Sequence, residues 1–266
     1  MSRLLAIIII TLGLAVVPPI RASADQQEQQ IGQQVYAQLS RRGEIITNSP
    51  YYNVLKPIAD RIKRVVDSQY DAPFRFILVH EKQPNAFSVP GGNVYVTDSM
   101  MTFAQNKEEL AGVLCHETSH TIHRDVVHIA QKQQNVDLLA NIASVLLGNR
   151  GFSNFILGSA DQLIGLNFSR GVEHEADATG AQTCARAGIN PWGMVWLFEH
   201  FEAHPTGGKP PEALSDHPRD DHRISDLQAE FASNPSLFGG YSSDILTATP
   251  LSERGFRSDR LRGRGL

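Results

Sequence analysis

Two histidines one helical turn apart, with a glutamate directly after the first, stand in the stretch Leu114-Cys115-His116-Glu117-Thr118-Ser119-His120. Residues at i and i+4 share a helix face, so His116 and His120 can present imidazole nitrogens to one cation. Glu117 lies about 100° further round the helix. That puts it beside a metal rather than on it, where it can take a proton from water. Five residues thus supply two zinc ligands and a general base. The same spacing also fits a solvated amphipathic helix whose histidines share a face by accident, so a third ligand from elsewhere decides between the two.

Candidates for that ligand downstream are Glu173, His174, Glu175, Asp177, His200, His204, His217 and His222. Glu173 and Asp177 are four apart and share a helix face, while Glu175 points away. One of these two carboxylates can ligate zinc while the other holds a ligand histidine by its second ring nitrogen. The competing reading is a charge pair suited to the first turn of a helix. His217 precedes Pro218, which favours an extended backbone just before a helix. It is a candidate for two roles: a donor to a developing oxyanion, or a fourth zinc ligand that keeps the site latent. Arg223 is a candidate to orient a carboxylate or the tetrahedral oxygen.

The ordered set Asn85-Ala86-Phe87, Pro90-Gly91-Gly92, His116-Glu117-x-x-His120, Ser169-Arg170-x-x-Glu173-x-x-Ala176-Asp177 and His217-Pro218 resembles the forty-eighth metallopeptidase family. These are gluzincins that include the CAAX prenyl endopeptidases and soluble bacterial periplasmic relatives. The likeness runs from about Ile31 to Leu227. It implies one zinc ion per chain on His116, His120 and Glu173, Glu117 as the base, and Asp177 in support. A metzincin is excluded directly, because that pattern needs Gly at position 123 and His at 126. The sequence has His123 and Val126. The membrane-embedded members carry several spanning helices, and nothing after residue 24 reads as one. No helical repeat for partner binding is present either.

The elements that must position these residues read as α+β: a mostly helical, gluzincin-like domain with a small sheet flanking the metal helix. Asp25 to Arg42 is glutamine-rich with Ile31, Val35 and Leu39 on one stripe, which predicts a polar helix with a narrow apolar face. A second helix spans Ser49 to about Val66, with Pro57 expected to kink or restart it. Strands are predicted over Phe74–His80, Asn85–Val89 and Asn93–Thr97, the last two joined through Pro90-Gly91-Gly92. Asp98 is expected to cap a short helix, and Asn106 with Glu109 to open the metal helix. Apolar helices follow over Val136 to Leu147 and on through Leu166. Helices to about Ala187, over Trp192 to His204, and from Pro218 to about Phe231 complete the domain, with a proline- and glycine-bearing loop at 205–216.

At the level of the whole chain, 41% hydrophobic and 20% charged residues with a net charge of -4 suit one globular domain and exclude a basic nucleic-acid groove. Arg3, the apolar run Leu4–Val17, Pro18-Pro19 and Ala22-Ser23-Ala24 form a secretory signal pattern. The run is shorter than the ~20 residues that a span needs. Residues 1–24 are therefore expected to be a signal peptide cleaved after Ala24, residues 25–233 the zinc peptidase domain, and 234–266 a mobile tail with five Arg in its last sixteen residues. An exported chain permits a disulfide. Yet Cys184 lies roughly 16 Å along its helix from Glu173, so Cys115 and Cys184 are expected as separate buried thiols. The expected activity is hydrolysis of exported, misfolded or unfolded polypeptides in the periplasm or outside the cell. The substrate would lie along the strand edge of Asn85, Ala86, Phe87, Gly91 and Gly92. The competing function is a chaperone-like module that binds envelope proteins and cleaves little or nothing.

Overall fold

The computed structural model describes residues 24–132, 168–203 and 222–251. Helix α1 (Ala24–Arg41) leads through the two-residue strand β1 (Ile45–Ile46) to α2 (Tyr52–Val66). Strands β2 (Arg75–Val79), β3 (Ala86–Val89) and β4 (Asn93–Thr97) follow, then helices α3 (Asp98–Phe103), α4 (Lys107–His123) and α5 (Asp125–Lys132). After position 168 come α6 (Arg170–Arg186), α7 (Trp192–Ala203), α8 (Arg223–Ser233), the single turn α9 (Pro235–Phe238) and a 3-10 turn at Ile245–Thr247. The helices predicted between Val136 and Leu166, the 205–216 loop, His217 and Pro218 lie outside the described residues. Among the described residues no helix is long and apolar enough to cross a membrane.

The sheet is mixed, in the order β1-β2-β4-β3. β2 and β4 run parallel, with Leu78 beside Val96, and β3 pairs antiparallel with β4, Phe87 beside Tyr95. β4 is buried along its whole length. Its Val94 and Val96 face the main core with α2 and α4, while the Asn93 amide donates to the Gly32 carbonyl of α1. Two-sided cover explains why β2 departs from simple alternation: Phe74 and Leu78 are buried, and so are Ile77 and Val79. Gly91 and Gly92, at φ +96° and +86°, make the turn from β3 to β4 in a region that residues with a Cβ avoid. Among the described residues β3 is the outer strand on this side of the sheet, packed beside α4.

The stripe Ile31, Val35 and Leu39 docks α1 as its spacing predicts, and Leu55, Ile58 and Ile62 dock α2. α2 runs unbroken through Pro57, with neither restart nor interruption. Pro57 and Asn53 both lie on the exposed face of the helix, so the helical hydrogen bond that proline removes is one on the solvent side. Thr97, not Asp98, caps α3: its hydroxyl accepts from the Met100 N–H at 3.0 Å. Asp98 instead takes the N–H groups of Glu81 and Ser99. α4 opens as expected, with Asn106 Oδ1 accepting from the Glu109 N–H at 2.8 Å and the Glu109 carboxylate accepting from the Gln105 N–H. Burial is the main cause pushing the Glu109 carboxyl above its ordinary pKa.

Two expectations are overturned. Cys115 and Cys184 form a disulfide, with Cα atoms 6.0 Å apart. α4 and α6 lie antiparallel along their length rather than crossing at one point. The long Glu173 side chain spans the offset to His116, while Gly180 lies flat against the His116 backbone. A Cβ there would stand 3.0 Å from the His116 nitrogen. Cys184, one turn further on, therefore reaches Cys115. Thiol titration of the denatured, unreduced chain is expected to find no free thiol. Closing 69 residues, the bond contributes about 2–4 kcal/mol to stability. The segment 234–251, expected as part of the tail, packs against the domain. Phe238 is buried against α6–α8 residues, and Trp196 Nε1 donates to the Ser243 carbonyl. Thr249 bonds the Glu108 carboxylate through its N–H and its hydroxyl, both at 2.8 Å.

Candidate metal centre

α4 is buried on every side from Glu109 to Thr121, so the solvated amphipathic helix is excluded. α6 begins at Ser169, whose hydroxyl accepts from the Val172 N–H, and its first turn faces the histidines of α4. His116, His120 and Glu173, 5%, 2% and 1% exposed, each offer one ligand atom within 4.8 Å of the others. The two Nε2 atoms are 3.0 Å apart, and Glu173 Oε2 and Oε1 lie 3.5 and 3.7 Å from those of His116 and His120.

The other ring nitrogen of each histidine faces a carboxylate. His116 Nδ1 lies 2.9 Å from Asp177 Oδ1, and His120 Nδ1 lies 2.8 Å from Asp125 Oδ2. Ionised carboxylates only accept hydrogen bonds, so a proton on each Nδ1 suits these contacts and leaves both Nε2 lone pairs for a cation. Burial, the leading cause, holds the His116 pKa below its ordinary value, which keeps the imidazole neutral. In that tautomer three acceptors converge. Such a cluster is repulsive unless a cation joins it, and two imidazoles plus one carboxylate fit a divalent first-row ion with a coordination position left open.

Asp177 and Arg223 complete the wall. Arg223 Nε and Nη2 donate to the two Asp177 oxygens at 2.7 and 2.6 Å, and its Nη1 stands 3.2 Å from Glu173 Oε2. Burial opposes the Asp177 charge, but Arg223 and the His116 hydrogen bond outweigh it and hold that carboxyl below its ordinary pKa. For Arg223 burial is likewise the largest influence, overcome by the charges of Asp177, Glu173 and Glu117, so it stays charged. Its guanidinium also lies over the Phe198 ring. Glu117 is buried at 2%, next to His116. The structure thus brings together Glu117, His116, His120, Glu173, Asp177 and Arg223.

Asn85, Ala86 and Phe87 lie at or on the edge strand β3. Gly91 and Gly92 lie in the turn beyond it, where the Pro90-Gly91-Gly92 signal puts them. Sequence reasoning missed Asp125, which belongs to α5, and Phe168, whose ring stacks on His120 at 4.4 Å. Asp125 carries no spacing signal, because its approach to His120 depends on a left-handed turn at Arg124.

Residues 53–231 match peptidase family M48. The chain is 35% identical over 167 residues to the beta-barrel assembly-enhancing protease of Yersinia pestis, covering 59% of this chain and 34% of that protein. It is 27% identical over 213 residues to the Escherichia coli K12 protein of the same name, 76% of this chain and 43% of that one. It is also 29% identical over 209 residues to the mitochondrial metalloendopeptidase OMA1 of Schizosaccharomyces pombe, 76% of this chain and 60% of that one. The chain therefore spans between a third and a half of the length of these bacterial relatives. With a family match over most of the chain and a buried His-His-Glu cluster beside a glutamate, the chain belongs to peptidase family M48, a family of metallopeptidases.

Proposed function

We propose that this chain is a zinc-dependent endopeptidase acting on exported, unfolded polypeptides, with His116, His120 and Glu173 as ligands of one zinc ion. The observation that carries the reading is the convergence of one ligand atom each from His116, His120 and Glu173 within 4.8 Å of one another, beside the buried Glu117. When bound, zinc would supply a Lewis acid that polarises the scissile carbonyl and acidifies an attacking water. Glu117 receives that water's proton on its carboxylate and returns it to the leaving amine. Asp177 and Asp125 hold the two imidazoles in the ligating tautomer, and Arg223 fixes both Asp177 and Glu173 so that the carboxylates do not swing apart. A substrate backbone lies along β3, the outer strand of the described sheet, where backbone pairing is indifferent to side chains and favours extended chain. Export is supported by the signal pattern before Ala24, by the disulfide, which suits an oxidising compartment, and by relatives named for assembly of β-barrels.

Casein cleavage with and without chelator tests the reading. Activity is expected to vanish on chelation and return with one equivalent of zinc. Binding of unfolded protein with no chelator-sensitive cleavage would favour the chaperone-like module instead.

A further inference from the structure

The buried stripe of α1 carries one carboxylate. Glu28 stands one turn before Ile31 and is 3% exposed, and a charge placed there is costly unless it is paired. Its Oε2 accepts from the Tyr70 hydroxyl, and its Oε1 lies 3.1 Å from Arg124 Nε. The Tyr70 hydroxyl in turn accepts from the Gly91 N–H at 2.9 Å, and the Arg124 guanidinium lies over the Tyr70 ring at 5.6 Å. A Cβ on Gly91 would stand 2.6 Å from the Glu28 carbonyl, so α1 sits directly on the β3–β4 turn. Arg124 also meets Asp71 at 2.8 Å, a largely exposed carboxylate, and an exposed pair contributes little.

Arg124 is the non-glycine residue with positive φ among the described residues, at φ 56°, ψ 35°. A Cβ crowds the following carbonyl oxygen in that conformation, so any residue but glycine takes it at a cost. The left-handed turn ends α4 and starts α5 at the next residue. If α4 continued instead, Asp125 would sit five residues past His120, about 140° round the helix and off its face. With the turn in place, Asp125 Oδ2 comes to 2.8 Å from His120 Nδ1.

We infer that Glu28 is a positioning residue for the metal centre: gripping Arg124 from α1, it holds the left-handed turn that keeps Asp125 on His120. Helix α1, remote from the HExxH stretch in sequence, is thereby part of the metal site. The inference rests on the metal reading of His116, His120 and Glu173.

Zinc affinity of the full chain, measured by competition with a chromophoric chelator, tests it alongside thermal unfolding of the metal-free variants. Asp125→Asn is expected to weaken zinc about 10–100-fold, the range for loss of a ligand's outer partner, and Glu28→Gln about 10-fold. The double variant should bind zinc within about twofold of Asp125→Asn alone, because the two residues act in series. Arg124→Ala should match Glu28→Gln. Arg124→Gly should recover most of the affinity, since glycine takes this conformation without penalty. Should Glu28→Gln not fold, the Arg124 pair decides. Zinc bound equally by Glu28→Gln and the parent, additive losses in the double variant, or Arg124→Gly as weak as Arg124→Ala would each overturn the inference. A parent chain that binds no zinc would sink the metal reading itself, and this inference with it.

Discussion

Glu117→Gln is expected to retain zinc and to lose at least ~10²-fold in turnover, the lower range for removal of a general base. The substitution keeps shape and volume in a site where Glu117 is 2% exposed, so neither packing nor the His116, His120 and Glu173 geometry should change. Glutamine can still hydrogen-bond an attacking water but cannot accept its proton. Because the amide removes one negative charge near Arg223, a slight change in metal affinity is compatible with the account; a large one is not. Single-turnover cleavage of a fluorogenic peptide, paired with zinc content on the same sample, separates the two effects. Full activity with zinc bound would remove Glu117 from the mechanism.

Glu173→Ala should have the larger effect on the metal, lowering zinc affinity by more than the ~10–100-fold of an outer partner and abolishing cleavage. Two imidazoles from adjacent turns of one helix offer too few donors to hold a catalytic ion, which takes three protein ligands. The loss also exposes a design feature of the fold. Arg223 Nη1 stands 3.2 Å from Glu173 Oε2 and would lose that contact while keeping its two bonds to Asp177. The metal-free variant is therefore expected to fold, held by the Arg223–Asp177 pair and by the Cys115–Cys184 disulfide. Far-ultraviolet circular dichroism of metal-free Glu173→Ala and parent chain should superimpose, and isothermal titration with zinc should show binding only for the parent.

The metal helix was legible because its signals are local: the i, i+4 histidines, the Asn106 cap with Glu109 behind it, and the Pro90-Gly91-Gly92 turn all report on neighbours a few residues away. Glu173 and Asp177 were legible as a pair on one face, and their division of labour came from resemblance rather than spacing. What escaped depends on how elements lie against each other. The disulfide follows from α4 and α6 running antiparallel over several turns, with Gly180 pressed on the His116 backbone, which no spacing within either helix encodes. Asp125 reaches His120 only because Arg124 adopts a conformation that its residue type disfavours. Residues 234–251 look like polar tail by composition, yet Phe238 fills a pocket and Thr249 meets the N-terminal turn of α4 through Glu108. Composition measures how much apolar surface a segment brings, not whether a domain offers a place to put it.

The central claim is that two imidazoles of α4 and one carboxylate of α6 meet on a single ion. Anomalous diffraction at the zinc absorption edge, from crystals of the chain grown with one equivalent of zinc, tests it most directly. One peak bonded to His116 Nε2, His120 Nε2 and a Glu173 carboxylate oxygen, at about 2.0–2.2 Å from each, is the predicted result. A peak bonded elsewhere, or one that omits Glu173, would contradict it.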